Sequence, residues 1–159
     1  MHAFVGFGSN LGDGKALIRG ALRGIKENPG IESVRMSGFY RSAPWGMENQ
    51  PDFTNAAAEI VTQMDPYQLL HMLQAIESKL GRRRDTGHWG PRTIDLDLLC
   101  CDQIVVNSPD LTLPHPHLHE RAFALMPLLE LDPDLVIPGV GSAKDCLSKL
   151  PHQEVYRLP

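Results

Sequence analysis

A chain of 159 residues with 42% hydrophobic and 21% charged side chains has the size and composition of one globular domain, neither disordered nor membrane-embedded. Its net charge of −4 gives no overall basic field of the kind that recruits nucleic acid, and no apolar run approaches the ~18 residues of a membrane span. Cys100, Cys101 and Cys146 form an odd set without C-x-x-C spacing. They read as reduced thiols, and with no signal-peptide core after Met1 the chain is expected to work in the cytoplasm.

In chain order, Ala3–Phe7 reads as a short buried strand closed by glycine. Residues 13–27 carry Leu17, Ile18, Ala21, Leu22 and Ile25 at helical spacing before Asn28-Pro29-Gly30 stops them. Residues 31–40 are β-branched and aromatic without helical period and predict one strand. Residues 53–61 predict another, weakened by Ala56-Ala57-Ala58. Asp65-Pro66 opens the clearest helix, with Leu69, Leu73, Ile76 and Leu80 on one stripe and Gly81 at its end. Residues 93–99 alternate polar and apolar as a strand does, and Ile104–Val106 are expected to pair with it across Asp102-Gln103. A helix is expected over 120–130 and a weaker one over 143–150. The order β-α-β-β-α-β is that of the ferredoxin-like α+β sandwich, an antiparallel sheet with flanking helices, here with an added C-terminal helical segment. No repeat or linker divides it, so residues 1–159 are expected to form a single domain.

On a strand over 93–99, Ile94, Leu96 and Leu98 share one face and Asp95 and Asp97 the other. Carboxylates two residues apart, about 6.5–7 Å along a strand, can reach inward to hold two cations in the manner of two-metal phosphoryl chemistry. Oxygen ligands select Mg²⁺ or Mn²⁺ over zinc. Alternation alone also puts acids on any half-exposed strand, so the pair gains weight from its surroundings. Arg82, Arg83, Arg84 and Arg92 lie just upstream, in a glycine- and proline-rich stretch around Trp89. Such a loop could clamp a triphosphate, or simply be a solvated charge run. Its arginines repel one another without an anion, so the loop is expected to order over bound ligands.

Glu77 stands at the edge of the apolar stripe of its helix. It could meet ribose hydroxyls, an arginine of the following loop, or a structural partner. His115, His117 and His119 alternate and could share a metal, although a phosphate contact by one of them fits better. The segment from Tyr40 to Gly46, together with Phe53 and Asn55, offers rings and an amide to a flat heterocycle, Phe53 equally serving as core. Gly6 to Gly12 misses the G-x-G-x-x-G spacing, and Gly8 to Ala16 misses the P-loop, so neither nucleotide motif applies.

Phe7-Gly8-Ser9-Asn10-Leu11-Gly12, Gln50-Pro51-Asp52-Phe53-Thr54-Asn55 and above all Trp89-Gly90-Pro91-Arg92-Thr93-Ile94-Asp95-Leu96-Asp97 resemble the hydroxymethyldihydropterin pyrophosphokinases. Leu113-Pro114-His115 and Arg121-Ala122-Phe123 extend the resemblance, which spans residues 3 to about 138. It implies transfer of pyrophosphate from ATP to a pterin alcohol, with AMP released and two Mg²⁺ ions required. It further implies that Asp95 and Asp97 ligate the metals and that Arg82, Arg84, Arg92, His115 and Arg121 surround the triphosphate. Gln74, Glu77, Trp89, Leu98 and Thr112 would help hold the nucleotide. Asn55 would bond the pterin edge, with Phe53 and Phe123 against its faces and Ser42 and Trp45 nearby. Arg82, Arg92 and Asp97 would carry the chemistry. His88, Asp110 and Pro116 depart from the family pattern and receive no role. The expected partners are these small molecules, with no nucleic acid and no membrane, and the chain is expected to be a monomer. The rival reading, a nucleic-acid-binding sheet, would need sheet-face aromatics and a basic surface, and aromatics are only 6% of the chain.

Overall fold

The computed structural model describes residues 1–10, 13–43, 52–81 and 94–159. In chain order the elements are β1 (His2–Ser9), α1 (Gly14–Lys26), β2 (Ile31–Met36), β3 (Tyr40–Ser42), β4 (Phe53–Thr62), α2 (Pro66–Gly81) and β5 (Asp95–Cys101). There follow β6 (Val106–Asn107), β7 (Thr112–Leu113), a 3-10 turn at Leu118–Glu120, α3 (Ala122–Leu131), β8 (Val136–Ile137), β9 (Gly141–Ser142), α4 (Ala143–Lys149) and β10 (Val155–Arg157). The main sheet runs β10-β3-β4-β1-β5, with β2 also paired to β4, and every pairing is antiparallel. Helices and an antiparallel sheet in one chain make this an α+β protein. No helix among the described residues is long and apolar enough to cross a membrane.

The two long helices begin where the sequence says they should. Asp13 caps α1, its Oδ1 accepting from the Ala16 amide at 3.1 Å. A Cβ on Gly14 would lie 2.7 Å from the Thr54 hydroxyl, so the first turn can meet β4 only as glycine. At α2, Asp65 accepts from Gln68 N while Gln68 accepts from Asp65 N, a reciprocal capping box around Pro66. Leu69 and Leu73 are fully buried. Ile76 and Leu80 lie over Gly24 and Gly20 of α1. Both helices cover one sheet face, closing a core with Val5, Phe7, Ile60, Leu96 and Leu98.

The strand expected over 31–40 is broken into β2 and β3, which lie end to end along β4. Ser37 makes the break tolerable. Its amide donates to Ala57 O and its hydroxyl accepts from Ala57 N at 2.9 Å, so a side chain replaces one rung of the ladder. The alanines that weakened β4 as a strand suit its position. Ala56 and Ala58 face α1 and α2 while Ala57 faces α3, and all three are buried.

A second difference concerns Ile104–Val106, which do not pair with β5. Asp102 takes a positive φ of 45° and turns the chain away, and β6 pairs instead with β7. The outer edge of β5 is engaged otherwise: Leu96 N donates to the Glu77 carboxylate at 2.8 Å, and Leu99 O accepts from His115 N at 2.7 Å. The helix expected from residue 120 starts at Ala122, because Leu118–Glu120 close into the 3-10 turn first. Helix α3 is apolar nearly all round and buries Leu125 and Leu128 on the second sheet face, against Phe4, Ala57, Leu99 and Cys100. Nothing in the sequence pattern announced β10.

Candidate active site

Helix α3 covers only part of the second face, and the uncovered part is a pocket. Along β1 the residues pointing that way are Phe4, Gly6 and Gly8. Phe4 packs under α3 and α4, whereas Gly6 and Gly8 line the pocket and leave the sheet surface bare. The register sets the neighbours. Asn55, Gly8 and Asp95 form one row across three strands, and Ala57, Gly6 and Asp97 form the next. An amide therefore faces a carboxylate across a glycine, over two strand spacings or roughly 9.5 Å. The two carboxylates share one face of β5 with Leu96 buried between them on the other.

Around this floor stand Ser42, Ala43, Phe53, His115, Leu118, Arg121 and Phe123. Asn55 is buried, and its Nδ2 donates to the Ser42 hydroxyl at 2.7 Å, which fixes the plane of the amide. The Arg121 guanidinium lies 5.6 Å from the centre of the Phe123 ring, so a cation and a flat apolar face sit side by side at one rim.

A second pocket opens at the outer edge of β5, between α2 and the segment 109–116. Leu70, Gln74, Glu77, Leu98, Thr112 and Pro116 are among its walls. Among the described residues, Asp97 and His115 are the two that line both pockets. Glu77, open between three partners in the sequence, spends one oxygen on Leu96 N, the amide between the two aspartates. It thus braces the strand that carries them.

The three alternating histidines do not converge. His117 and His119 both turn to Glu120, at 3.1 and 3.5 Å. Among the described residues no group of three or more His, Cys, Asp or Glu could hold a metal ion. His115 alone enters the site. Its Nδ1 accepts from the His117 amide at 3.1 Å, which puts the ring proton of the neutral form on Nε2. Burial, then the nearby Arg121 and His117, push its pKa down to about 4, so it is a neutral donor at physiological pH.

Of the residues singled out in the sequence, Ser42, Phe53, Asn55, Asp95, Asp97, His115, Arg121 and Phe123 meet at the first pocket. Gln74, Glu77, Leu98 and Thr112 meet Asp97 and His115 at the second. Asp110 and Pro116, given no role, also line the second. Trp45, Arg82, Arg84, Trp89 and Arg92, with the loop expected to close over ligands, lie outside the described residues. Sequence reasoning missed Gly6 and Gly8 as pocket residues. A glycine repeated at every second position of an otherwise apolar strand is the signal that would have found them.

Comparison with known proteins agrees with this arrangement. Residues 4–133 match the family described as 7,8-dihydro-6-hydroxymethylpterin-pyrophosphokinase (HPPK). The 2-amino-4-hydroxy-6-hydroxymethyldihydropteridine pyrophosphokinase of Methylorubrum extorquens is 43% identical, over 99% of this chain and 98% of that one. The protein of the same name from Pseudomonas aeruginosa is 40% identical, over 99% and 97%. Among solved structures, Plasmodium falciparum HPPK-DHPS A437G with SDX-DHP matches with a TM-score of 0.73 at 14% identity. That match covers 93% of this chain but only 45% of the other, and it speaks for the fold alone. By the family match and by full-length relatives at this identity, the chain belongs to the 7,8-dihydro-6-hydroxymethylpterin pyrophosphokinase family.

Proposed function

We propose that the two pockets divide the two substrates of a pyrophosphoryl transfer between them. The chain is an ATP-dependent pyrophosphokinase that moves a pyrophosphoryl group onto the hydroxymethyl group of dihydropterin in folate synthesis. The first pocket takes the pterin. Asn55, held by Ser42, bonds the polar edge of the ring, Phe53 and Phe123 flank its faces, and the bare strip of Gly6 and Gly8 lets it lie on the sheet. The second takes the nucleotide, with Gln74, Glu77, Leu98 and Thr112 around it, and the family resemblance adds Trp89. The observation that carries this reading is that Asp97 and His115, alone among the described residues, belong to both pockets. That junction is where a hydroxymethyl group from one side and a phosphate chain from the other can meet.

Magnesium suits the donor set. Asp95 and Asp97 offer hard oxygens on one strand face, and the remaining ligands of an octahedral ion fall naturally to phosphate and water. We read the pair as the seat of two such ions, whose charge would offset that of the triphosphate. His115 donates from Nε2 to a phosphate oxygen without adding charge, and Arg121 adds a cation at the rim. Arg82, Arg84 and Arg92 are assigned to the same phosphates, Arg82 and Arg92 to those being transferred. The hydroxymethyl oxygen attacks the β-phosphorus, the α,β-bridging oxygen leaves with AMP, and positioning with charge neutralisation does the catalysis. We assign Trp45 to the pterin on the family resemblance.

The strand order supports a ferredoxin-like reading of the βαββαβ core, taking β2 and β3 as one broken strand. The free, buried thiols of Cys100 and Cys101 support a reducing compartment, the cytoplasm. We further read residues 1–159 as one domain working as a monomer. The test is AMP release with MgATP, with and without the pterin alcohol, in wild type and Asn55→Ala. Pterin-dependent release, and an Asn55→Ala defect in pterin affinity alone, are expected. A defect in ATP affinity instead would overturn the division.

A further inference from the structure

Helix α3 begins without a cap of its own. Arg121 occupies the capping position, has only donors to offer, and makes no capping hydrogen bond. The first helical amide, Ala122 N, is satisfied instead by a residue far along the chain, donating to Gln153 Oε1 at 3.0 Å. The same side-chain amide donates from Nε2 to Glu120 O at 3.1 Å. One glutamine thus grips the backbone on both sides of Arg121.

The next two residues hold the opposite wall of the first pocket. Glu154 O accepts from Ala43 N at 3.2 Å, and Val155 pairs with Ser42 in the β10–β3 ladder. Residues 153–155 therefore bridge Ser42 and Ala43 on one side to Arg121 and Phe123 on the other, all four being pocket walls. The far end of the strap is fastened independently, where Arg157 Nε donates to Glu130 at 3.1 Å and Leu158 N to Phe39 O at 2.8 Å.

We propose that Gln153 is a positioning residue for the pterin pocket, one that sets the placement of Phe123 and Arg121 relative to Ser42 and Asn55 without touching the ligand. The inference rests on reading the first pocket as the pterin site. Only a side chain with both an acceptor and a donor at its tip can make the grip. Glutamate of the same length keeps the acceptor for Ala122 N, and methionine keeps neither group.

The experiment measures KM for each substrate and thermal unfolding in Gln153→Met, Gln153→Glu, Arg157→Ala and Asn55→Ala. Gln153→Met should raise the pterin KM roughly ten-fold while leaving the ATP KM within about two-fold, since a slack helix start moves Phe123 most. Gln153→Glu keeps the acceptor for Ala122 N but turns an oxygen onto Glu120 O, so it should raise the pterin KM by a smaller factor, about three-fold, and it carries the comparison if the methionine variant does not fold. Arg157→Ala should lower the unfolding temperature with both KM values unchanged. A wild-type pterin KM in Gln153→Met, or an equal rise in Arg157→Ala, would reduce the strap to a structural fastening and overturn the proposal. If Asn55→Ala leaves pterin binding intact, the pocket assignment itself is wrong. If Asn55→Ala loses pterin and Gln153→Met does not, only the positioning role is lost.

Discussion

The two faces of the central sheet are built from the same strands to opposite ends. On β1, Ala3, Val5 and Phe7 point to α1 and α2 and are wholly buried, whereas Phe4, Gly6 and Gly8 point the other way and fade from packed to bare. On β5, Leu96 and Leu98 serve the first face while Asp95 and Asp97 serve the second. A strand's two-residue period lets one segment donate alternate side chains to stability and to chemistry. The consequence is that mutations on the two faces should fail in different ways.

The largest separation is expected at β5. Asp97→Ala should lower kcat by ~10³-fold or more with little change in unfolding temperature, because a half-exposed strand acid contributes little packing. Near-wild-type turnover at saturating Mg²⁺ in either Asp95→Ala or Asp97→Ala would remove the carboxylates from the chemistry. The mirror experiment is Leu73→Ala on α2. Deleting a fully buried leucine should cost about 2–5 kcal/mol in chemical denaturation. Both KM values should stay unchanged wherever the protein remains folded. A pterin KM that moves with Leu73 would show that the faces are coupled and break the contrast.

The packed face was the more legible in the sequence. Leu69, Leu73, Ile76 and Leu80 announce α2 by spacing alone, and Asp65-Pro66 announces its start, because helix periodicity and caps are local. The site was half legible. Asp95 and Asp97 alternate along one strand, and their specific block of neighbours carried the family resemblance. What stayed hidden depends on contacts between distant segments. Ser37 replaces a rung of β4, Glu77 braces Leu96 N, and β10 crosses to β3, none of which any local pattern encodes. Ile104–Val106 were misassigned for the same reason, since the edge they were to occupy is held by Glu77 and by the backbone of His115.

A subtler probe of the bare strip is Gly8→Val. A Cβ at Gly8 would meet the Asn55 Oδ1 at 3.6 Å, an ordinary contact, so the fold should accept it. The added methyls would rise from the floor of the pocket, and the pterin KM should increase by about ten-fold with ATP little affected. A fall in unfolding temperature alongside the rise in KM would instead mean that Gly8 serves the fold.

The smallest effect distinguishes the faces by pH. The packed face owes its stability to apolar contact, which has no titration, but the second face holds His115 with its pKa pushed from the ordinary 6.5 down to about 4. Burial is the main cause, with Arg121 and His117 adding like charge. The folded-state value is depressed, so between 6.5 and about 4 the unfolded chain binds a proton that the folded chain refuses. Stability from this group is therefore complete above the unfolded value, falls as pH drops through that window, and is gone below about 4. His115→Asn keeps an acceptor where Nδ1 receives the His117 amide and cannot titrate. Denaturant unfolding of both proteins at pH 7.5 and pH 5 should show the wild type losing more stability than the variant on acidification. Parallel losses would mean that the imidazole is not held neutral by the fold, and that its donation from Nε2 to a phosphate would bring a charge with it.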